Sequence, residues 1–74
     1  MPYLAIKTLP KEEHVKREAV DALLELLPKV WGCPKEAVTI SIEEYSPEEY
    51  QKEVQPEVDA KKKALYVVSG KQTF

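Results

Sequence analysis

The residue with the most distinctive reactivity in this chain is Pro2, which follows Met1 directly and runs into the alternating stretch Tyr3-Leu4-Ala5-Ile6-Lys7-Thr8. Methionine removal generally requires a small second residue, and removal of Met1 turns the Pro2 nitrogen from a tertiary amide into a secondary amine. That amine can take up a proton or attack a carbonyl, which no internal residue can do through its backbone nitrogen. With Met1 attached, Pro2 is inert. The other reactive residue types form no set. Cys33 is the one cysteine and His14 the one histidine, so there is neither an internal disulfide nor a Cys/His group at metal-ligand spacing, and no cofactor is expected. Glu43-Glu44 and Glu48-Glu49 are neighbours in sequence whose side chains point apart, and they read as solvated edges. Lys61-Lys62-Lys63 is the only basic run and reads as a solvated helix face. The formal net charge of -2 argues against a general nucleic-acid binder, which normally carries a strongly basic face.

Pro2 can act only from a fixed place, so the elements behind it matter. Residues 2 to 8 put Pro2, Leu4, Ile6 and Thr8 on one face and Tyr3, Ala5 and Lys7 on the other, the period of a half-buried strand. Leu9-Pro10 ends it. From Lys11 onward, Val15, Ala19, Ala22, Leu23, Leu26, Leu27 and Val30 recur at three- and four-residue steps and predict one apolar stripe on an amphipathic helix. Glu13, Lys16, Arg17 and Asp21 form its charged, solvated side. Pro28 lacks an N–H and crowds the carbonyl of Leu24, which predicts an end or a kink near Leu27, completed by Gly32 and Pro34. After a turn over residues 33 to 37, Val38 to Glu43 alternates again, with Val38, Ile40 and Ile42 toward the helix. Two strands joined by a helix are normally parallel, so residues 2 to 44 read as one βαβ unit.

Beyond Tyr45 the pattern is helical once more. Ser46, Pro47 and Glu49 spell a capping box with proline at the first helical position. Pro56 is expected to divide the segment into helices near 47 to 54 and 57 to 65. Tyr66-Val67-Val68 is a short β-prone run, and Lys71 to Phe74 is expected to be loosely held unless Phe74 docks on a partner. The whole chain, 1 to 74, reads as a single α/β (α+β) domain. Seventy-four residues are close to the size at which one core fails to close without disulfides, a metal or a partner. Two protomers are therefore expected to join their sheets into four strands, with helices on one face. No run approaches a membrane span, and the start of the chain shows no basic region before an apolar block, so the expectation is a soluble, cytoplasmic protein without membrane or nucleic-acid partners.

The combination of Pro2-Tyr3-Leu4-Ala5-Ile6-Lys7, the helix from Glu12 to Val30, the turn Cys33 to Val38 and the strand Thr39-Ile40-Ser41-Ile42 resembles the tautomerase superfamily, the 4-oxalocrotonate tautomerase-like proteins whose catalytic residue is the amino-terminal proline. Ser46-Pro47-Glu48-Glu49-Tyr50-Gln51 and the helical tail look most like the dimeric, enterobacterial-type branch, whose C-termini are longer than those of the hexameric branch. The resemblance implies a tautomerase/MIF-like fold, a homodimer rather than a hexamer, and a cofactor-free isomerase. It further implies that Pro2 shuttles a proton between carbon and oxygen of a small 2-oxo or enol acid. An amine works as a base near neutral pH only when largely unprotonated, and burial in an apolar pocket favours that state. A nearby cation does the same, and Lys7 on the same strand is a candidate.

Two arginines bind dicarboxylates in the family. Their places fall here around Lys11 or Glu12 and on Thr39, so neither guanidinium is present, and a lysine does not replace its bidentate fork. A phenylpyruvate-like monocarboxylate suits such a pocket better than a dicarboxylate, with Tyr50 as the corresponding aromatic wall. The expected site is thus Pro2 as general acid and base, with Lys7, Lys11, Thr39 and Tyr50 around the substrate and no metal. The competing expectation is a catalytically silent, dimerising βαβ module that binds a ligand or protein, with Pro2 merely starting the strand.

Overall fold

The computed structural model describes residues 1–74. Strand β1 (Tyr3–Thr8) leads into helix α1 (Glu13–Trp31), a 3₁₀ turn (Lys35–Ala37) and strand β2 (Thr39–Glu44). The two strands pair in parallel with Tyr3 opposite Thr39, Leu4 opposite Ile40 and Ile6 opposite Ile42. The βαβ reading of residues 2 to 44 therefore stands. Because facing residues of a parallel pair share a side of the sheet, Leu4, Ile6, Ile40 and Ile42 make one apolar face, and Tyr3, Ala5, Lys7, Thr39, Ser41 and Glu43 the other. Helix α1 lies over the first. Val20 and Ile42 line one groove between helix and sheet, and Lys16 Nζ lies 3.2 Å from Glu44 at the end of β2.

Pro28 does not end α1. It loses the bond to Leu24, but its carbonyl accepts from Gly32 N–H at 2.9 Å and Cys33 N–H at 3.2 Å, so the last turn closes through the oxygen of Pro28 instead of its nitrogen. The helix stops at Gly32, whose φ of 75° is the left-handed conformation that glycine adopts without strain. The apolar stripe also divides. Val20, Leu23, Leu24 and Leu27 are half-buried, while Val15, Ala19, Ala22, Leu26 and Val30 stay exposed. Lys16, expected on the solvated side, is half-buried between Glu13 and Glu44.

In the second half of the chain, the capping box forms as its residues require. Ser46 Oγ accepts from Glu49 N–H at 3.2 Å, and Ser46 N–H donates to Glu49 Oε1 at 2.8 Å, opening helix α2 (Pro47–Glu49). Pro56 does not split the tail into two helices. A π turn (Tyr50–Val54), with Gln55 N–H bonded to the carbonyl of Tyr50, shifts the register by one residue. Helix α3 (Gln55–Ala60) then begins with Pro56 in its first turn, where a missing N–H costs no helical bond. It ends at Ala60, short of the expected residue 65, and a 3₁₀ turn (Lys62–Ala64) comes next. The C-terminal residues are held. Strands β3 (Val67–Val68) and β4 (Lys71–Gln72) form a hairpin whose two turn residues, Ser69 and Gly70, have φ of 48° and 82°, the pattern of a type I′ turn. Thr73 N–H bonds to the carbonyl of Tyr66, and the rings of Tyr66 and Phe74 meet edge to face at 5.8 Å.

This architecture leaves almost nothing enclosed. Val54 alone is buried, at 4 % exposure. The chain exposes 6182 Å², whereas a closed monomer of 8.5 kDa exposes about 4,650 Å². Its radius of gyration, 13.7 Å, likewise exceeds the roughly 11 Å of a compact chain of this length. The molecule is a slab of 36 × 31 × 20 Å. No helix is long and apolar enough to cross a membrane.

Candidate active site

Pro2 stands at the head of β1, half-buried, and its carbonyl accepts a hydrogen bond of 3.1 Å from Thr39 N–H, the first residue of β2. The parallel ladder thereby begins at Pro2 and fixes its ring beside the start of both strands. Met1 is fully exposed, so its removal breaks no packing. Beside Pro2, on the sheet face away from α1, Tyr3 is 63 % exposed and its hydroxyl lies 2.8 Å from Ser41 Oγ. Thr39 is exposed on the same face. Pro2, on the side of Leu4, thus begins the end of the sheet whose opposite face carries the hydroxyls of Tyr3, Thr39 and Ser41.

The remaining expected residues lie elsewhere in the protomer. Lys7 is five residues along β1 from Pro2, about 16 Å at the rise of a strand, and cannot bear on the Pro2 nitrogen of its own chain. Its ammonium is bound to Glu57 of α3, which also holds Lys61 at 3.1 Å. The hydrogen bond to Glu57 raises the Lys7 pKa above the ordinary lysine value, and the bonds from Lys7 and then Lys61 hold Glu57 below the ordinary carboxylate range. Lys7 is therefore charged, but its charge is matched. Lys11 follows the far end of β1, where its backbone N–H donates to Glu44 Oε2 at 2.8 Å and its side chain is exposed. That bond, and then Lys16, hold Glu44 below the ordinary carboxylate range. Tyr50 is half-buried where the π turn starts. The protomer accordingly unites Pro2 with Thr39, and Lys7 with Glu57, but does not gather all five residues around one cavity.

Four partners escaped the sequence reading. Ser41 sits diagonally across from Tyr3, two residues beyond Thr39, and becomes visible once the strand register is known. Glu57 and Lys61 are a legible i, i+4 pair, but nothing local connects them to Lys7, fifty residues away. Tyr45 closes the end of the sheet: its N–H bonds to the carbonyl of Thr8 at 2.9 Å and its hydroxyl donates to Glu43 at 2.9 Å. That last bond is the main reason its phenol is held above the ordinary tyrosine value. The only arginine, Arg17, is engaged by Glu13 at 3.0 Å on α1. No protein-family profile, curated protein or solved structure matches the chain.

Proposed function

We propose that the protein is a cofactor-free keto–enol tautomerase of the tautomerase superfamily, working as a homodimer in the cytoplasm on a small 2-oxo or enol acid, with Pro2 as general acid and base once Met1 is removed. The observation that carries this reading is the bond from Thr39 N–H to the carbonyl of Pro2, which anchors the residue at the end of the sheet. In the proposed step the prolyl nitrogen accepts the proton of the enol hydroxyl, and the electron pair of the broken O–H bond becomes the second bond of the ketone. The pair of the enol C=C bond takes a proton from the prolyl ammonium to form the new C–H bond, which leaves the amine neutral again. No other base stands at this corner. The hydroxyls of Thr39 and of the Tyr3–Ser41 pair supply polar contacts for a neutral or singly charged acid. The spent Arg17 and the distant Lys7 and Lys11 favour a phenylpyruvate-like monocarboxylate over a dicarboxylate.

Intact mass and an ultraviolet assay of phenylpyruvate ketonisation on the same sample test the proposal. Loss of Met1 is expected, and Pro2→Ala is expected to lower kcat/KM at least about 100-fold, the scale of a lost acid–base group. A second reading, a silent dimerising module, is favoured by one observation, the pairing of Lys7 to Glu57, which removes the strand's own cation from any site. Equal ketonisation by wild type and Pro2→Ala, with Met1 absent from both, would establish that alternative.

A further inference from the structure

Trp31 is the last residue of α1 and the only tryptophan of the chain. On the helical wheel it falls within about 40° of Val20, Leu24 and Leu27, the half-buried residues that face the sheet. Yet Trp31 is 65 % exposed. A side chain on the covered side of a helix stays open where the sheet beneath it has run out.

The place where it runs out follows from two contacts. Helix α1 crosses back over the strands against their direction, with Lys16 Nζ 3.2 Å from Glu44 and Val20 sharing a groove with Ile42. From Lys16 to Trp31 the helix advances about 22 Å. From Glu44, opposite Thr8, the sheet returns to Pro2 over about 20 Å. Measured from the second contact, Trp31 lies about 16 Å along the helix from Val20, and Pro2 about 13 Å along β1 from Ile6, the residue opposite Ile42. Both alignments bring Trp31 level with Pro2 to about one residue of strand. Pro2 continues the side of Leu4 and Val38 the side of Ile40, the side that α1 covers. These two residues are small and leave room beneath the indole.

From this we infer that Trp31 is a substrate-binding residue, whose indole forms the wall on which an aromatic ring of the substrate packs while the 2-oxo or enol carbon lies at the Pro2 nitrogen. The role rests on the tautomerase reading and adds the residue that sets its substrate class. Two aromatic rings attract each other at about 4.5–7 Å between centroids beyond the gain from burial alone, so an acid carrying a ring is held better than an aliphatic one. Tyr50, the wall expected from the sequence, starts the π turn of the tail, whereas Trp31 reaches the Pro2 end from α1 of the same chain. A substrate lying across the strand ends has its ring on the α1 side and its polar end toward the hydroxyls of Tyr3 and Thr39.

Fluorescence of the wild-type chain reads Trp31 alone. Acrylamide is expected to quench it freely in the protein without ligand. Phenylpropanoate, which has the ring and the carboxylate but no carbonyl to tautomerise, is expected to protect it, and propanoate at the same concentration is not. In the ketonisation assay, Trp31→Ala is expected to raise KM for phenylpyruvate about tenfold with kcat changed less than about threefold, and Trp31→Phe to bring KM back to within about threefold of wild type. The fluorescence measurement stands even where Trp31→Ala fails to fold. A tryptophan already shielded before ligand is added, as by a partner chain, equal protection by the two acids, or an unchanged KM in Trp31→Ala would overturn the assignment. Protection by phenylpropanoate together with equal ketonisation by wild type and Pro2→Ala refutes the chemistry alone. Ketonisation lost in Pro2→Ala without protection of Trp31 refutes the wall alone.

Discussion

The two halves of the chain are held by different means. From Pro2 to Glu44, the bonds that define the structure join residues far apart in sequence: the β1–β2 ladder, the Thr39 to Pro2 bond at its start, and the contacts of Glu44 with Lys11 and Lys16. From Tyr45 onward they join near neighbours: the Ser46–Glu49 box, the π turn, the hairpin and the Tyr66–Phe74 edge contact. Lys7 with Glu57 and Tyr45 with Thr8 are the ties between the halves. Damage in the first half should therefore reach the whole fold, and damage in the second should stay where it is made.

The largest effect tests the first half's chemistry, the hundredfold or greater loss of kcat/KM in Pro2→Ala without a change in unfolding midpoint. Next comes Gly32→Ala. A β-carbon at Gly32 would meet no atom within 4 Å, so the whole effect comes from its φ of 75°. It should cost about 1–2 kcal/mol, measured by urea unfolding. Amide exchange in this variant should quicken in β1 and β2 as well as α1. Ser46→Ala should cost about 1 kcal/mol of local helix stability, with exchange quickening over residues 47 to 60 alone. Quickening of β1 in Ser46→Ala would break the contrast between the halves.

The smallest effect tests the tie between them. Glu57 is held below the ordinary carboxylate range in the folded chain, so its contribution is complete above that range and is lost as pH falls through the folded value. Glu44, Glu49 and Glu13 are shifted the same way and steepen the same acid limb. Lys7 is raised, so its share is complete below the ordinary lysine value and lost as pH rises through the folded one. Glu57→Gln should lower the urea midpoint at neutral pH, and the two proteins should converge in acid, where Glu57 is protonated. A constant gap across the acid limb would show that the substitution acts through packing.

The same contrast decides how much was legible in the sequence. Alternation revealed both strands, because each has one wet and one covered face, and the helix that joins them made their pairing parallel. The capping box was readable because all of its bonds lie within four residues. Pro28 and Pro56 misled because the rule for proline concerns the bond lost at its nitrogen. Here Pro28's carbonyl closes the turn, and a π turn places Pro56 where no donor is needed. The hairpin was missed because strands of two residues have no period. At the site, Pro2 and Thr39 could be placed from the strand pattern, whereas the pairing of Lys7 with Glu57 spans fifty residues and depends on how the tail folds back. The division of the α1 stripe was likewise hidden, since periodicity marks apolar positions without saying which neighbour covers them.

A π turn is an α-helical segment with one residue too many, and the one between Tyr50 and Val54 works like a shim. Take a single residue out, for example Gln51, and the tail can run as an unbroken α-helix, but everything beyond is wound back by about 100°. Glu57 then leaves Lys7 and the tail loses its grip on the sheet. That one extra residue sets the angle at which the second half of the chain meets the first.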